Sequence, residues 1–282
     1  LRSKSVDGCL DEQGGLRRDL AEAIASRIRG ARRFAVVTGS GVSAASGIPT
    51  FRDAQTGFWA RFRPEDLATP EAFAEHPGRV WAWYQWRRRL VANARPNAGH
   101  DALADLETRV PWMTLITQNV DGLHQRAGSR EVIEFHGNVL RSRCAGMPSH
   151  TVSLDGEADL QGSNEDWSGD QAAPPPPPPR CEVCGEWLRP DVVWFGEPIP
   201  QRALLASTTA VLRADVLISA GTSAQVYPAA SLARLAREQQ ACVIEVNLDD
   251  TPLSAEADYV LRGESSRLLP ALVSVLGEAA GY

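Results

Sequence analysis

A chain of 282 residues, 43% of them hydrophobic, can bury one large α/β core with an insertion or about two domains. Its formal charge of −6 argues against a general nucleic-acid surface or an anionic-membrane surface, leaving only a local basic groove open. The five cysteines (Cys9, Cys144, Cys181, Cys184, Cys242) are unevenly spaced, which speaks against a disulfide framework and for a reducing compartment. With no apolar run of about eighteen residues and no signal-peptide core, a soluble, cytoplasmic protein is expected.

Residues 1–15 are polar and glycine-containing and read as a flexible leader. Leu16, Leu20, Ile24 and Ile28 recur every four residues and predict a helix that ends at Gly30. The apolar run Phe34–Val37 then reads as a buried parallel strand. It stops at Gly39, Ser40 and Gly41, after which small residues through Ala44 open a helix, the pattern of a phosphate cradle. Glycine turns after strands are common, so this pattern is weak alone. The tail Pro49, Thr50, Phe51, Arg52 sharpens it by placing a stiff proline, an aromatic and a cation where a dinucleotide fold would run on as helix. A ribose-binding acid about 20 residues past the glycines is also missing, Asp53 coming too early. NAD is the expected ligand, held for something other than hydride transfer.

Residues 54–70 carry Phe58, Trp59 and Phe62 and suit either a loop over a ligand or an aromatic loop packed on the core. Over 77–93 a helix is predicted in which Val80, Tyr84, Arg87 and Val91 share one inward stripe. The Tyr–Arg pair is either structural, the arginine snorkelling or pairing with a carboxylate, or a preformed carboxylate receptor. A helix to about residue 108 and a strand over 112–117 follow. At that strand's carboxyl end Gln118, Asn119 and Asp121 are placed for ribose or nicotinamide, with turn and helix-cap chemistry as the plain alternative. A strand from Val132 ends in His136, the best general-base candidate; His76, His100 and His150 fall in loops or helix starts and His124 on a helix.

Composition shifts at Cys144. Residues 145–180 are polar and close with Pro174–Pro179, an inserted loop with a polyproline II end that reads as a spacer, with docking to a proline-binding partner as the alternative. Cys181 and Cys184 form a C-x-x-C half-site for which Cys144 is a third ligand. The fourth position of a matching half-site is Met147, so a four-cysteine zinc site is incomplete; His150 could substitute, or the site could be empty. Val192–Glu197 reads as another strand. Val216–Ala220 is a strand closed by Gly221, Thr222 and Ser223, a second phosphate turn, and a helix spans 228–239. A strand over 242–246 ends at Asn247 and Asp249, which could hold the adenosine ribose; a short strand over 259–261 and a helix over 265–276 complete the chain. The fold class is α/β: a Rossmann-like parallel sheet with helices on both faces (16–138 and 196–282), plus a smaller zinc-ribbon-like module (139–195).

Taken together, these motifs resemble the sirtuins, the family of NAD-dependent protein-lysine deacylases. The resemblance runs from about Ala21 to Leu276 through G-S-G-V-S-A-x-S-G-I-P-T-F-R, T-Q-N-V-D, F-H-G-N, the cysteine pair, V-V-W-F-G-E, G-T-S and E-V-N-L-D. It implies that Gly39 to Arg52 bind NAD, that Asn119 and Asp121 hold ribose and nicotinamide, and that His136 is the base. Phe51 would shield the reacting centre. The expected peptide site is Val193, Trp194, Phe195, Gly196 and Glu197. Tyr84 and Arg87 resemble the Y-x-x-R signature of the subgroup that removes succinyl, malonyl and glutaryl groups, and Ala68 resembles the small residue that widens its acyl pocket. The implied reaction converts NAD and acyl-lysine to nicotinamide, O-acyl-ADP-ribose and free lysine through an alkylimidate, with acylated protein lysines as partners. No nucleic acid or membrane is expected, and a monomer is. Any zinc would be structural and away from the chemistry. A plain deacetylase, a mono-ADP-ribosyltransferase and a non-catalytic NAD or ADP-ribose sensor are the alternatives.

Overall fold

The computed structural model describes residues 4–6, 8–49, 62–147, 150–153 and 175–279. At its centre is a parallel sheet of seven strands. In order across the sheet these are β1 (Lys4–Val6), β10 (Tyr259–Arg262), β9 (Cys242–Asn247), β8 (Val216–Ala220), β2 (Arg33–Thr38), β3 (Trp112–Thr117) and β4 (Val132–Glu134). A parallel strand covered on both faces must be apolar throughout, and β2, β8 and β9 are buried along almost their whole length. Register sets Val36 beside Leu115 on one flank and Ile218 on the other. Strand order reverses at β2, since β3 and β4 lie to one side and β8 to β10 to the other. The carboxyl ends of β2 and β8 therefore flank the crevice where such sheets bind ligands.

Successive residues of each strand feed opposite layers. Val36, Leu115, Ile218 and Ile244 pack with α1 (Arg18–Arg27), α5 (Ala98–Arg109) and α9 (Ser265–Ala279) through Leu20, Ile24, Leu103, Leu106, Leu269 and Leu272. Val37, Ile116, Leu217 and Val243 pack with α7 (Gln201–Leu212) and α8 (Ser231–Glu238) through Val211, Leu232 and Ala236. The sequence pattern does not mark α7, because Leu205 and Leu212 point to solvent while Ser207 faces in.

A second, antiparallel sheet places β5 (Gly137–Cys144) between β6 (Thr151–Ser153) and β7 (Leu188–Val192). Three helices, α2 (Pro64–Leu67), α3 (Pro70–Glu75) and α4 (Pro77–Asn93), pack on it through Leu67, Phe73, Val80, Trp83 and Val91 against Val139, Val192 and Trp194. Fully buried Arg88 anchors α4. Its guanidinium donates to the carbonyls of Val139 (2.6 Å) and Arg141 (3.0 Å), to Ser142 Oγ (2.9 Å) and to Gln85 Oε1 (2.7 Å). The proline run returns to the start of the same helix, where the Pro175 carbonyl oxygen comes within 2.6 Å of the place a β-carbon on Gly78 would take.

Two expectations change. The strand expected over 192–197 ends at Val192 and belongs to the small sheet, because the next N–H groups turn to other partners. Part of the expected leader joins the fold: Lys4–Val6 pairs with β10, Cys9 is buried, and Asp11 Oδ1 accepts from Gln13 and Gly15 N–H. None of the five cysteines forms a disulfide. Among the described residues no helix is long and apolar enough to cross a membrane.

Candidate active site at the strand-order reversal

The turns after β2 and β8 touch backbone to backbone. Gly39 N–H donates to the Ala220 carbonyl at 3.0 Å and Gly41 N–H to that of Gly221 at 2.9 Å. A β-carbon on Gly39 would stand 2.7 Å from Gly221 O, so only glycine admits this approach. The chain then makes two 3₁₀ turns, Ser40–Val42 and Ala44–Ser46, instead of the expected helix start. The Gly39 and Gly41 donors serve the second turn instead of facing a phosphate. Ser40 is half-buried, and Ala44 and Pro49 are exposed. Thr50, Phe51 and Arg52 lie outside the described residues.

The segment after β3 locks both turns together. Asn119 Nδ2 donates to Gly39 O and Ser43 Oγ, each at 3.1 Å, and Ser43 Oγ donates to Asp121 Oδ2 at 2.7 Å. Asp121 Oδ1 accepts from Leu123 N–H at 2.9 Å, bracing the entry to α6 (Leu123–Arg126). Gln118 Nε2 donates to Thr222 Oγ1 at 3.0 Å and Asn247 Nδ2 to the Thr222 carbonyl at 2.8 Å. Gly221, Thr222, Asn247, Gln118, Asn119 and Asp121 thus form one connected group, with half-buried Ser223 beside Thr222 and Asp249 exposed beyond β9.

His136 lies in the turn between β4 and β5, because β4 ends at Glu134 and not at the histidine. Its Nδ1 is 3.1 Å from the Gln118 carbonyl oxygen. A carbonyl only accepts, so Nδ1 carries the proton and Nε2 holds the lone pair. Burial keeps the ring below the usual histidine pKa, which favours that neutral form. Gly137, at φ +85°, fixes the backbone here: a β-carbon would lie 2.1 Å from Asp191 O across the β5–β7 pairing.

Beneath these groups runs a buried polar layer that sequence reading does not find. Thr38 Oγ1 donates to Thr117 Oγ1 (2.9 Å) and lies 3.0 Å from His124 Nε2, while His100 Nε2 approaches Ser43 Oγ at 3.4 Å. Burial first, and the neighbouring His100 ring second, push His124 down to about 3.

Val80, Tyr84 and Val91 of the predicted α4 stripe are buried and Arg87 is half-buried, its guanidinium 5.2 Å from the Trp83 ring centre. Burial pulls the Arg87 pKa down, and the electrostatic influence of Tyr84 and Asp121 opposes it. Ala68, Tyr84 and Trp194 share one cluster with Ile48 of the first turn. Trp194 is buried at 2% exposure, donating Nε1–H to Tyr84 Oη at 2.9 Å, so its side chain serves the interior of this cluster. Glu197 is likewise occupied, its two oxygens on Arg189 at 2.5 and 2.8 Å. Val193 is half-buried, and Phe195 and Gly196 are exposed.

Away from this site, Cys144, His150, Cys181 and Cys184 present ligand atoms that all lie within 4.8 Å of one another. Cys144 Sγ is 3.3 Å from Cys184 Sγ and Cys181 Sγ is 3.7 Å from His150 Nδ1. Met147 is half-exposed and takes no part beyond its N–H, which donates to Cys144 Sγ at 3.3 Å. The site that looks incomplete from the cysteines is therefore completed by His150.

The Sir2 family profile matches residues 39–228, well over half of the chain. The chain belongs to the Sir2 family. It is 46% identical over 250 residues to NAD-dependent protein deacylase 2 of Pyrobaculum aerophilum, covering 89% of this chain and 93% of that one. A Sir2 homologue solved as an NAD complex superposes with a TM-score of 0.81 at 44% identity, covering 92% of this chain and 95% of that one. A Sir2-homologue variant in complex with 2′-O-acetyl ADP ribose gives 0.80 at 44% identity over 95% and 99% of the two chains. For a Sir2 chain the gathered groups make chemical sense. Two strand-end turns, an amide, an acid and a histidine come together at the strand-order reversal, where open parallel sheets bind ligands, and the three thiols with one imidazole suit a tetrahedral structural zinc. Hydrogen bonds from the Cys184 backbone first, and from Val183 and the His150 ring, draw the Cys181 thiol down to about 6, toward the metal-binding thiolate.

Proposed function

We propose that this NAD-dependent protein deacylase removes acidic acyl groups, succinyl and malonyl, from protein lysines, and acetyl groups less efficiently. The observation that carries the reading is the pair Tyr84 and Arg87 one helical turn apart on α4, the tyrosine buried and the arginine half-buried with its guanidinium 5.2 Å from the Trp83 ring centre. A carboxylate at the end of an acyl chain would meet a charged fork and a hydroxyl there, whereas a methyl would meet neither. Ala68 leaves room beside them. A hydrogen bond to a charged group contributes about 1.5–3 kcal/mol, so the pair supports a preference of about tenfold to a thousandfold.

Bound NAD supplies an electrophilic ribose C1′ and a nicotinamide leaving group, and is consumed. Around it, Nε2 of His136 takes the proton of a ribose hydroxyl, and Asn119 orients the ribose or a water. Each Asp121 oxygen keeps a lone pair beyond its present bond with which to hold the nicotinamide amide. The acyl-peptide runs beside Val193–Glu197. There the N–H groups of Val193, Trp194, Phe195 and Glu197 already donate within the protein, which leaves the Gly196 N–H and backbone carbonyl oxygens to pair with the peptide. Zinc held by the three cysteines and His150 would tie β5 to the Cys181–Cys184 turn. Five cysteines without a disulfide suit a reducing cytoplasm.

The test is kcat/KM with NAD on matched succinyl-lysine and acetyl-lysine peptides, for the unaltered protein and Arg87→Met. The reading expects a succinyl preference that Arg87→Met removes; equal turnover of both peptides, unmoved by the substitution, refutes it.

A further inference from the structure

Trp194 lies in the segment beside the peptide, yet its side chain points inward and is held on every side. Its backbone N–H donates to Glu197 Oε2 at 2.9 Å, the Arg189 guanidinium carbon stands 3.3 Å from its ring centre, and the Phe73 ring is 5.2 Å away. Arg189 is fixed in turn by its two-pronged bond to Glu197. A rotation of the indole would break this packing, so its N–H has one direction, toward Tyr84 Oη at 2.9 Å.

An indole nitrogen can only donate, so Tyr84 Oη must accept. A hydroxyl that accepts from one side must send its own proton elsewhere, and Arg87 lies three residues on along the same inward side of α4. We propose that Trp194 is a specificity-determining positioning residue, which orients the Tyr84 hydroxyl so that its proton meets an acyl carboxylate held by Arg87. The inference rests on the acidic-acyl reading. Burial, opposed by Arg87 and by the bond from Trp194, leaves the Tyr84 pKa raised to about 12, so the hydroxyl keeps that proton at neutral pH. Acyl chains that end in a methyl do not read the hydroxyl at all, so the device acts on the choice between substrates.

The experiment is kcat/KM on succinyl- and acetyl-lysine peptides for the unaltered protein, Trp194→Phe, Tyr84→Phe and the double variant, with Arg87→Met alongside and melting temperatures to show that each is folded. Trp194→Phe keeps a ring against Arg189 and Phe73 but removes the N–H. The succinyl-to-acetyl ratio is expected to fall by about three- to tenfold, through a raised KM for the succinyl peptide. In the Tyr84→Phe background the same change should lower the ratio no further. An equal fall for both peptides, or ratio losses that multiply in the double variant, overturns the role of Trp194 and leaves the acidic-acyl reading standing. If the unaltered protein shows no succinyl preference and Arg87→Met changes nothing, both fall together.

Discussion

His136 and Val193 are joined backbone to backbone: the Val193 N–H donates to the His136 carbonyl oxygen at 2.9 Å. One bond thus couples the histidine proposed as general base to the segment along which an acylated peptide is proposed to lie. His136 and the 193–197 segment are therefore positioned together.

His136→Ala should lower kcat by about a hundredfold to ten-thousandfold, the usual contribution of a positioned general base, with little change in melting temperature. Because burial holds His136 below the ordinary value of 6.5, the lone-pair form persists into mild acid. The acid limb of the kcat profile should therefore fall below pH 6.5 in the unaltered protein.

Buried His124 makes stability depend on pH in a defined direction. In the unfolded chain it titrates near 6.5, and in the fold only at about 3. Its contribution is fully present above 6.5. As pH falls from there toward 3, the unfolded state takes up a proton that the folded state refuses, and stability drops by about 1.4 kcal/mol per pH unit. His124→Gln, which can still bond Thr38, should flatten this slope in melting curves recorded at pH 7.5 and pH 5.

Adjacent arginines on α4 should separate stability from specificity. Arg88→Met leaves the carbonyls of Val139 and Arg141 and the hydroxyl of Ser142 without their buried donor and should cost about 3 kcal/mol or more in urea unfolding. Arg87→Met, at a half-buried position, should change unfolding little while altering acyl preference.

Purified protein should carry one zinc per chain by elemental analysis. His150→Ala and Cys181→Ala should each lose it and melt earlier, and Met147→Ala should keep it, since Met147 contributes no side-chain ligand. Zinc retained in full by His150→Ala would show that the imidazole is not a ligand.

How much of this could be read from the residues follows from how local each signal is. β3 and β8 match their apolar runs residue for residue, and α4 matches its predicted span, because covered parallel strands and a long helix announce themselves within a few residues. Arg88 gives no such signal: it sits among Arg87 and Arg89, and the acceptors that bury it are on β5, about fifty positions later. The Ser43, His100 and His124 layer is likewise assembled from separate elements, each residue ordinary in its own stretch. His150 was visible only as an option, since its spacing from Cys144 fits no half-site. A tight return, with Cys144 N–H donating to His150 O and His150 N–H to Met147 O, both at 2.9 Å, brings it back to the thiols.

The most direct single measurement is a competition. One preparation is given NAD with equal amounts of a succinyl-lysine and an acetyl-lysine peptide of the same sequence, and the two O-acyl-ADP-ribose products are weighed by mass spectrometry in the first few per cent of turnover. Their ratio is the ratio of the two kcat/KM values. The account predicts O-succinyl-ADP-ribose in about tenfold excess or more; an equal yield, or an excess of the O-acetyl product, would contradict it.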